Sequence, residues 1–307
     1  MLKEEFNFPS SDGNTEIHSI RWIPEGEVRA ILQLSHGMVE HIERYDDFAA
    51  FLTGKGFLVT GNDHLGHGKS VTDEKKLFHF PKNGNSILLK DMHRLRSITQ
   101  KKYPDIPYFI MGHSMGSFLV RQYICMQGSG LKGAVIMGTG EQSRAALSFA
   151  KGLSNVKSAI QKPEHHSKTI TKLAFGTYNS KIKDNKTEYD WLSRDEEMVN
   201  RYIIDPLCGG TFTNQAFSEM FGSMIYLKKK DNLKKMPEDL PLLFVSGDAD
   251  PVGAYGKGPR VAAKRCLDSG VENVTCKIYE GSRHELLNEI NKEDVYSDIA
   301  EWLISQL

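Results

Sequence analysis

Gly112-His113-Ser114-Met115-Gly116 is the segment of this sequence best suited to covalent chemistry. A serine hydroxyl is a weak nucleophile, and the G-x-S-x-G pattern describes how a chain presents one: on a sharp strand-to-helix turn, with glycines where neighbouring side chains would collide. The pattern alone is weak, because glycine makes up about 7% of all residues. Its setting strengthens it. An apolar run, 108–111, leads straight into it, and a helix-like stretch, 117–127, follows. That turn exposes Oγ at the carboxyl edge of a sheet and points a helix N-terminus toward it.

Such a serine needs a base to take its proton and a carboxylate to hold the base. On this type of turn the order along the chain is serine, then acid, then histidine. Of eleven histidines, three follow Ser114: His165, His166 and His284. The first two lie in a stretch without strands. His284, in Glu280-Gly281-Ser282-Arg283-His284, comes directly after the apolar run 274–279, and elimination makes it the base. The acid belongs after the preceding run, where Gly247-Asp248-Ala249-Asp250-Pro251 offers two carboxylates. Side chains alternate at a strand end, so Asp248 and Asp250 are free to point the same way, and spacing leaves both open. An oxyanion needs two backbone donors. Met115, after the serine, supplies one; the N–H of Met38 supplies the other, in the loop Ser35-His36-Gly37-Met38-Val39-Glu40-His41.

Three further clusters are incomplete. Gly66-His67-Gly68-Lys69-Ser70 ends like a phosphate-binding loop, but its first glycine falls on Asp63. Gly138-Thr139-Gly140 opens like a dinucleotide fingerprint whose third glycine is Ser143. Asp63, His64 and His67 have metal-like spacing without a further ligand cluster. Neither a metal nor a cofactor is therefore expected.

The elements that position these residues read as an alternation. Short apolar runs at 30–34, 57–60, 108–111, 134–137, 242–245 and 274–279 end in Gly-rich turns, as strands buried on both faces of a parallel sheet do. Helical stretches at 45–55, 87–103, 117–127, 258–269 and 295–307 separate them, which is the pattern of an open α/β sheet with right-handed crossovers. Segments 3–8 and 16–22, joined by a turn, read as an antiparallel hairpin at the sheet edge. From 141 to 237 no strand is visible. Connections in a compact α/β domain run about 2–6 residues, so this stretch is a structured helical insertion. Within it Phe217, Met220, Phe221, Met224 and Ile225 share one helix face. Phe217, Phe221 and Met224 are candidates for an apolar wall over the site. The lysine-rich stretch 228–235 reads as a solvated helix end.

Lys+Arg and Asp+Glu are both 39, so the net charge is zero. A nucleic-acid binder would need a cationic surplus to displace counterions. The first residues hold no apolar leader, and no run approaches the roughly 18–20 residues that span a bilayer. Contact with a lipid surface is expected to be transient at most. Four scattered cysteines without a CxxC pair suit reduced thiols and a cytoplasmic setting.

The stretches SHGMVEHIERY (35–45), DHLGHGKS (63–70), GHSMG (112–116), WLSRD (191–195), GDADPVG (247–253) and YEGSRHELLNE (279–289) together resemble the monoacylglycerol lipase and lysophospholipase branch of the α/β-hydrolase fold, grouped with serine aminopeptidase-like hydrolases. The resemblance implies a mostly parallel sheet flanked by helices, a core formed by 1–140 and 238–307, and a cap at 141–237 that shapes an acyl pocket. It implies Ser114 as nucleophile, Asp250 as acid, His284 as base, and Met38 and Met115 as oxyanion donors. Glu40, His41 and Arg44 match the family's EH…R pattern, an ion pair bracing the oxyanion loop. The implied substrate is a single-chain lipid ester, a monoacylglycerol or a lysophospholipid. Short-chain carboxylesterase, aminopeptidase and amidase activities on the same fold are the alternatives. A hydrolase fold that only binds a ligand is disfavoured by the complete set of Ser, Asp and His. One departure stands out: Val39 occupies a position where animal members tend to carry glycine.

Overall fold

Eight strands form one sheet in a computed structural model that describes all 307 residues. β1 (Leu2–Pro9) and β2 (Glu16–Ile23) make the antiparallel hairpin, and β2 pairs antiparallel with β4 (Phe57–Asn62). From there the sheet is parallel through β3 (Ala30–Ser35), β5 (Tyr108–His113), β6 (Gly133–Met137), β7 (Leu242–Gly247) and β8 (Val274–Tyr279), in the order β1-β2-β4-β3-β5-β6-β7-β8. Every residue of β3 to β7 is buried, which is why those runs are largely apolar. β8 closes the edge and alternates half-buried and exposed positions until Tyr279, which is buried.

Helices α1 (Asp46–Thr53) and α10 (Lys292–Ser305) cover one face of the sheet, burying Phe48, Leu52, Tyr296 and Leu303. The other face carries α2 (Gly84–Lys102), α3 (Met115–Gln127) and α9 (Lys257–Leu267). Between β6 and β7 runs a helical insert of α4 (Arg144–Gln161), α5 (Lys168–Phe175), α6 (Glu196–Ile204), α7 (Asn214–Tyr226) and the single turn α8 (Lys230–Leu233). Its one extended pairing is a single bridge, His166 to Thr213. Ser143, Ser167, Asp195 and Thr213 each cap one of its helices by accepting a backbone N–H, whereas the helices on the sheet lack side-chain caps. Local capping of this kind contributes about 1 kcal/mol each and suits elements with less tertiary burial. No helix is long and apolar enough to cross a membrane.

Two local expectations need correction. The helix after the serine starts at Met115, two residues earlier than its apolar pattern suggests, because the turn consumes only Ser114. The 228–235 stretch is not simply solvated. Lys228 ion-pairs with the buried Glu141, and Leu233 is buried.

Candidate active site

β5 delivers the chain to Ser114, which adopts φ 52° and ψ −117°, a conformation that L-residues avoid. Two glycines make that turn possible. A methyl group at Gly112 would strike the Gly116 carbonyl, and one at Gly116 would strike the Ser35 carbonyl at the end of β3. The Ser114 N–H donates to the Met137 carbonyl at 3.0 Å, fastening the turn to β6. Its own carbonyl accepts from the Ser117 N–H and hydroxyl at 2.9 and 2.6 Å. The side chain stays partly exposed where everything around it is buried.

The loop after β3 passes beside the serine. A Cβ placed on Gly37 would lie 3.2 Å from the Ser114 Cβ. The Gly37 N–H donates to Glu40 Oε1 at 2.6 Å, and its carbonyl accepts from His36 Nδ1 at 2.8 Å. His36 Nε2 in turn accepts the His64 N–H at 2.9 Å, which makes Nδ1 the protonated nitrogen. Between these anchors the Met38 N–H has no partner in the chain, and neither has the Met115 N–H. Two adjacent unpaired amides next to a strained serine are what a developing oxyanion requires.

His284 follows β8 and is buried. Its Nδ1 lies 3.0 Å from Asp250 Oδ1. The contact is close but not aligned as a finished hydrogen bond. Asp250 is fully buried, accepting from the Val252 N–H at 2.8 Å and the Ser246 hydroxyl at 3.3 Å. Asp248 goes elsewhere. It is exposed and accepts the Gly281 N–H at 2.7 Å, so it braces the loop that carries His284. The turn after β7 ends the strand alternation, and the two carboxylates separate. The His284 ring packs between His113, the residue before the serine, and Trp191, with centroids 4.8 and 5.1 Å away.

Beneath these loops lies a buried charge cluster. Arg44 bonds Glu40 at 2.7 Å and grips both oxygens of Glu285 at 2.7 and 2.6 Å; His113 Nδ1 sits 3.0 Å from Glu40 Oε1. Burial alone would push both carboxyls up, but His113 and Arg44 outweigh it at Glu40, as Arg44 does at Glu285, holding both below the usual carboxylate range. Burial likewise pulls on His113, and the Glu40 carboxylate overcomes it, leaving that imidazole above its usual value. One network thus touches the loop after β3, the residue before Ser114 and the residue after His284.

The histidines of the other clusters have a different fate. Burial drives His36 down to about 3 and His67 to about 4, and His64 well below its usual value, so all three are neutral packing groups near pH 7. Asp63 accepts from the Ile42 and Lys69 N–H groups and pairs with His18, while Lys69 ion-pairs with Glu5 and Glu43. Donor atoms of His41, Asp205 and Cys208 lie within 4.8 Å of one another, but His41 Nε2 is already paired with Asp205 at 2.8 Å.

Phe217, Phe221 and Met224 are all buried on α7, with the Phe217 ring against Phe212, Phe175 and Phe221. A small cavity beside Met115 is lined from α7 by Met220 and Ser223, and from below by Phe80, Leu88 and Phe118. In the sequence Trp191 stands out only as part of WLSRD. In space that segment docks on the loop that carries His284, through Arg194 to Glu289 at 2.8 Å and Arg283 to the Asp190 and Ser193 carbonyls. Nothing in spacing could reveal a contact across some 90 residues.

A family profile described as serine aminopeptidase, S33 matches residues 26–291. A monoacylglycerol lipase of Mycolicibacterium smegmatis is 28% identical over 305 residues, covering 99% of this chain and 98% of that protein. A monoglyceride lipase of Mus musculus is 27% identical, covering 92% of this chain and 84% of that one. Among solved structures, a thermostable carboxyl esterase from Bacillus coagulans, in complex with glycerol, superposes with a TM-score of 0.90 at 30% identity, covering 99% of this chain and 97% of its own.

Proposed function

This chain belongs to the serine aminopeptidase, S33 family of hydrolases, and from that premise we propose that it cleaves carboxylic esters bearing a single acyl chain, monoacylglycerols or lysophospholipids, through an acyl-enzyme on Ser114. His284 takes the Ser114 proton as Oγ attacks the ester carbonyl, and Asp250 holds the imidazole in the required tautomer. The Met38 and Met115 amides receive the oxyanion. The alcohol departs with the proton from His284, and water repeats the cycle on the acyl group. Asp248 stays outside the chemistry.

The observation that carries the reading is a strained, partly exposed serine with unpaired amides at Met38 and Met115, and a His284–Asp250 couple whose imidazole packs on His113, the residue before that serine. The ester and its lipid character draw support from the relatives. In this reading the insert between β6 and β7 is a cap, and Phe217, Phe221 and Met224 stiffen its wall behind Met220. Transient contact with a lipid surface draws support from α4, where Phe149, Val156 and Ile160 are 68%, 55% and 78% exposed along one face. Four unpaired cysteines favour a reducing, cytoplasmic setting.

The test is a panel of glycerol and glycerophosphocholine monoesters of increasing acyl length, with aminoacyl amides alongside and Ser114→Ala as blank. Hydrolysis rising with acyl length supports the proposal. Turnover confined to acetyl and propionyl esters removes the lipid substrate, and faster amide cleavage moves the activity to peptides.

A further inference from the structure

Val39 is the only β-branched residue of the chain with a positive φ, 51°, and it directly follows Met38. A branched Cβ makes that conformation an outlier, held only where surroundings over-determine it. The surroundings here come from the insert. The Val39 carbonyl accepts the Gly209 N–H at 3.1 Å and the Tyr202 hydroxyl at 3.3 Å. Two residues on, His41 Nε2 meets Asp205 Oδ2 at 2.8 Å. Asp205 is itself oriented, since its other oxygen accepts the Leu207 N–H at 2.8 Å. Gly209 is pinned from behind by the Tyr189 hydroxyl on its carbonyl at 2.7 Å. A short, internally fixed turn of the insert therefore holds the strained half of the loop, while His36 and Glu40 hold its other half from the sheet side.

We propose that Tyr202 and Asp205 are positioning residues for ester hydrolysis: by holding Val39 in its left-handed conformation they keep the Met38 N–H aimed at the oxyanion, so the hole is complete only while the insert is seated. The inference rests on the reading of Met38 as an oxyanion donor. If the contacts are lost, Val39 relaxes toward negative φ and carries Met38 with it. A glycine at that position needs no such support.

The experiment is a double-mutant cycle on a short, water-soluble nitrophenyl ester. Asp205→Asn and Tyr202→Phe are each made alone and with Val39→Gly, and Ser114→Ala serves as blank. In the native background each should lower kcat about tenfold with KM within about twofold. In the Val39→Gly background the same substitutions should cost less than about twofold, a suppression that a merely structural role does not produce. Thermal melting checks that each variant is folded; if Asp205→Asn is not, Tyr202→Phe, which removes one hydroxyl, carries the comparison. Equal penalties in both backgrounds, or penalties on KM alone, overturn the inference. Residual turnover by Ser114→Ala equal to native would instead overturn the reaction on which it rests.

Discussion

Around Ser114 the sheet side buries Glu40, Arg44 and Glu285 together with three neutral histidines, whereas the insert turns Phe149, Val156 and Ile160 of α4 outward. On the first side polar groups are inside and paired; on the second, apolar groups are outside and unpaired. Burying charge is costly unless each group is matched, and a matched cluster has few alternative arrangements. The charge cluster on the sheet side thus ties together the loop after β3, the turn before Ser114 and the segment after His284. The insert is tied down near the site by polar contacts such as Arg194 to Glu289 and Asp205 to His41, but its α4 presents an unpaired apolar face to solvent. In the proposed reaction, fixed chemistry belongs to the first wall and adaptable substrate contact to the second.

The hardest test of the division is loss of the reacting groups. Ser114→Ala and His284→Ala should each reduce kcat by at least about 10⁴-fold while leaving thermal unfolding nearly unchanged. Asp250→Asn should cost about 10⁴-fold, because it leaves the imidazole in the wrong tautomer. Asp248→Asn keeps an acceptor for the Gly281 N–H and should stay within about tenfold. Steady-state kinetics on one soluble ester rank all four, and a reversed order of the two aspartates would move the acid to Asp248.

The next effect is on stability. Arg44→Met strands two buried carboxylates and should cost about 3–5 kcal/mol, read from urea unfolding at pH 7. The comparable change on the insert, Lys157→Met on α4, should stay within about 0.5 kcal/mol. Equal losses would mean that the charge cluster is no more organising than a surface lysine.

Acid exposes the same asymmetry. An unfolded histidine takes a proton near pH 6.5, but His36 and His67 refuse it until about pH 3 and about pH 4. Between those limits the unfolded state binds more protons, so stability falls with falling pH, by about 1.4 kcal/mol per unit for each histidine. His113 acts in the opposite sense. Its raised value contributes stability below the ordinary histidine pKa that is lost as pH rises through its folded value. Urea unfolding at pH 7, 6 and 5 should show the acid slope. His67→Phe, within the ring cluster of Phe78, Phe80 and Phe212, should remove one increment of it.

Much of the sheet side is legible in sequence because its requirements are local. The runs of β3 to β7 are largely apolar since both faces are covered, and Gly112 and Gly116 stand where a side chain cannot. What stays hidden is long-range. Asp250 and Asp248 differ only in what the turn after β7 does with them, and Arg44 reaches Glu285 across 241 positions. The partners of the insert are equally unmarked: Trp191 beside His284 and Gly209 on Val39 depend on docking, which periodicity does not encode. The pattern on α7 revealed that its residues are buried, but not that Met220 rather than Phe217 lines the cavity next to Met115.

The smallest expected effect falls on α4, and it separates the two walls most cleanly. Ala145, Phe149, Val156 and Ile160 recur at helical spacing on its outer face, while Leu147 and Ser154 are the residues it buries. The helix carries Arg144, Lys151 and Lys157 and no acidic residue, although the chain as a whole is neutral. An outward apolar face flanked by Lys157, on a helix without carboxylates, suits a lipid surface better than it suits water. Phe149→Ser and Ile160→Ser remove exposed apolar area without opening a cavity, so unfolding should shift by no more than about 0.5 kcal/mol. On a soluble nitrophenyl ester kcat/KM should be unchanged. On a dispersed long-chain monoacylglycerol the double variant should be slower by about three- to tenfold, the equivalent of one to a few buried methylene groups. A deficit on both substrates would tie α4 to the chemistry rather than to the surface, and a deficit on neither would leave its exposed face without a part in the reaction.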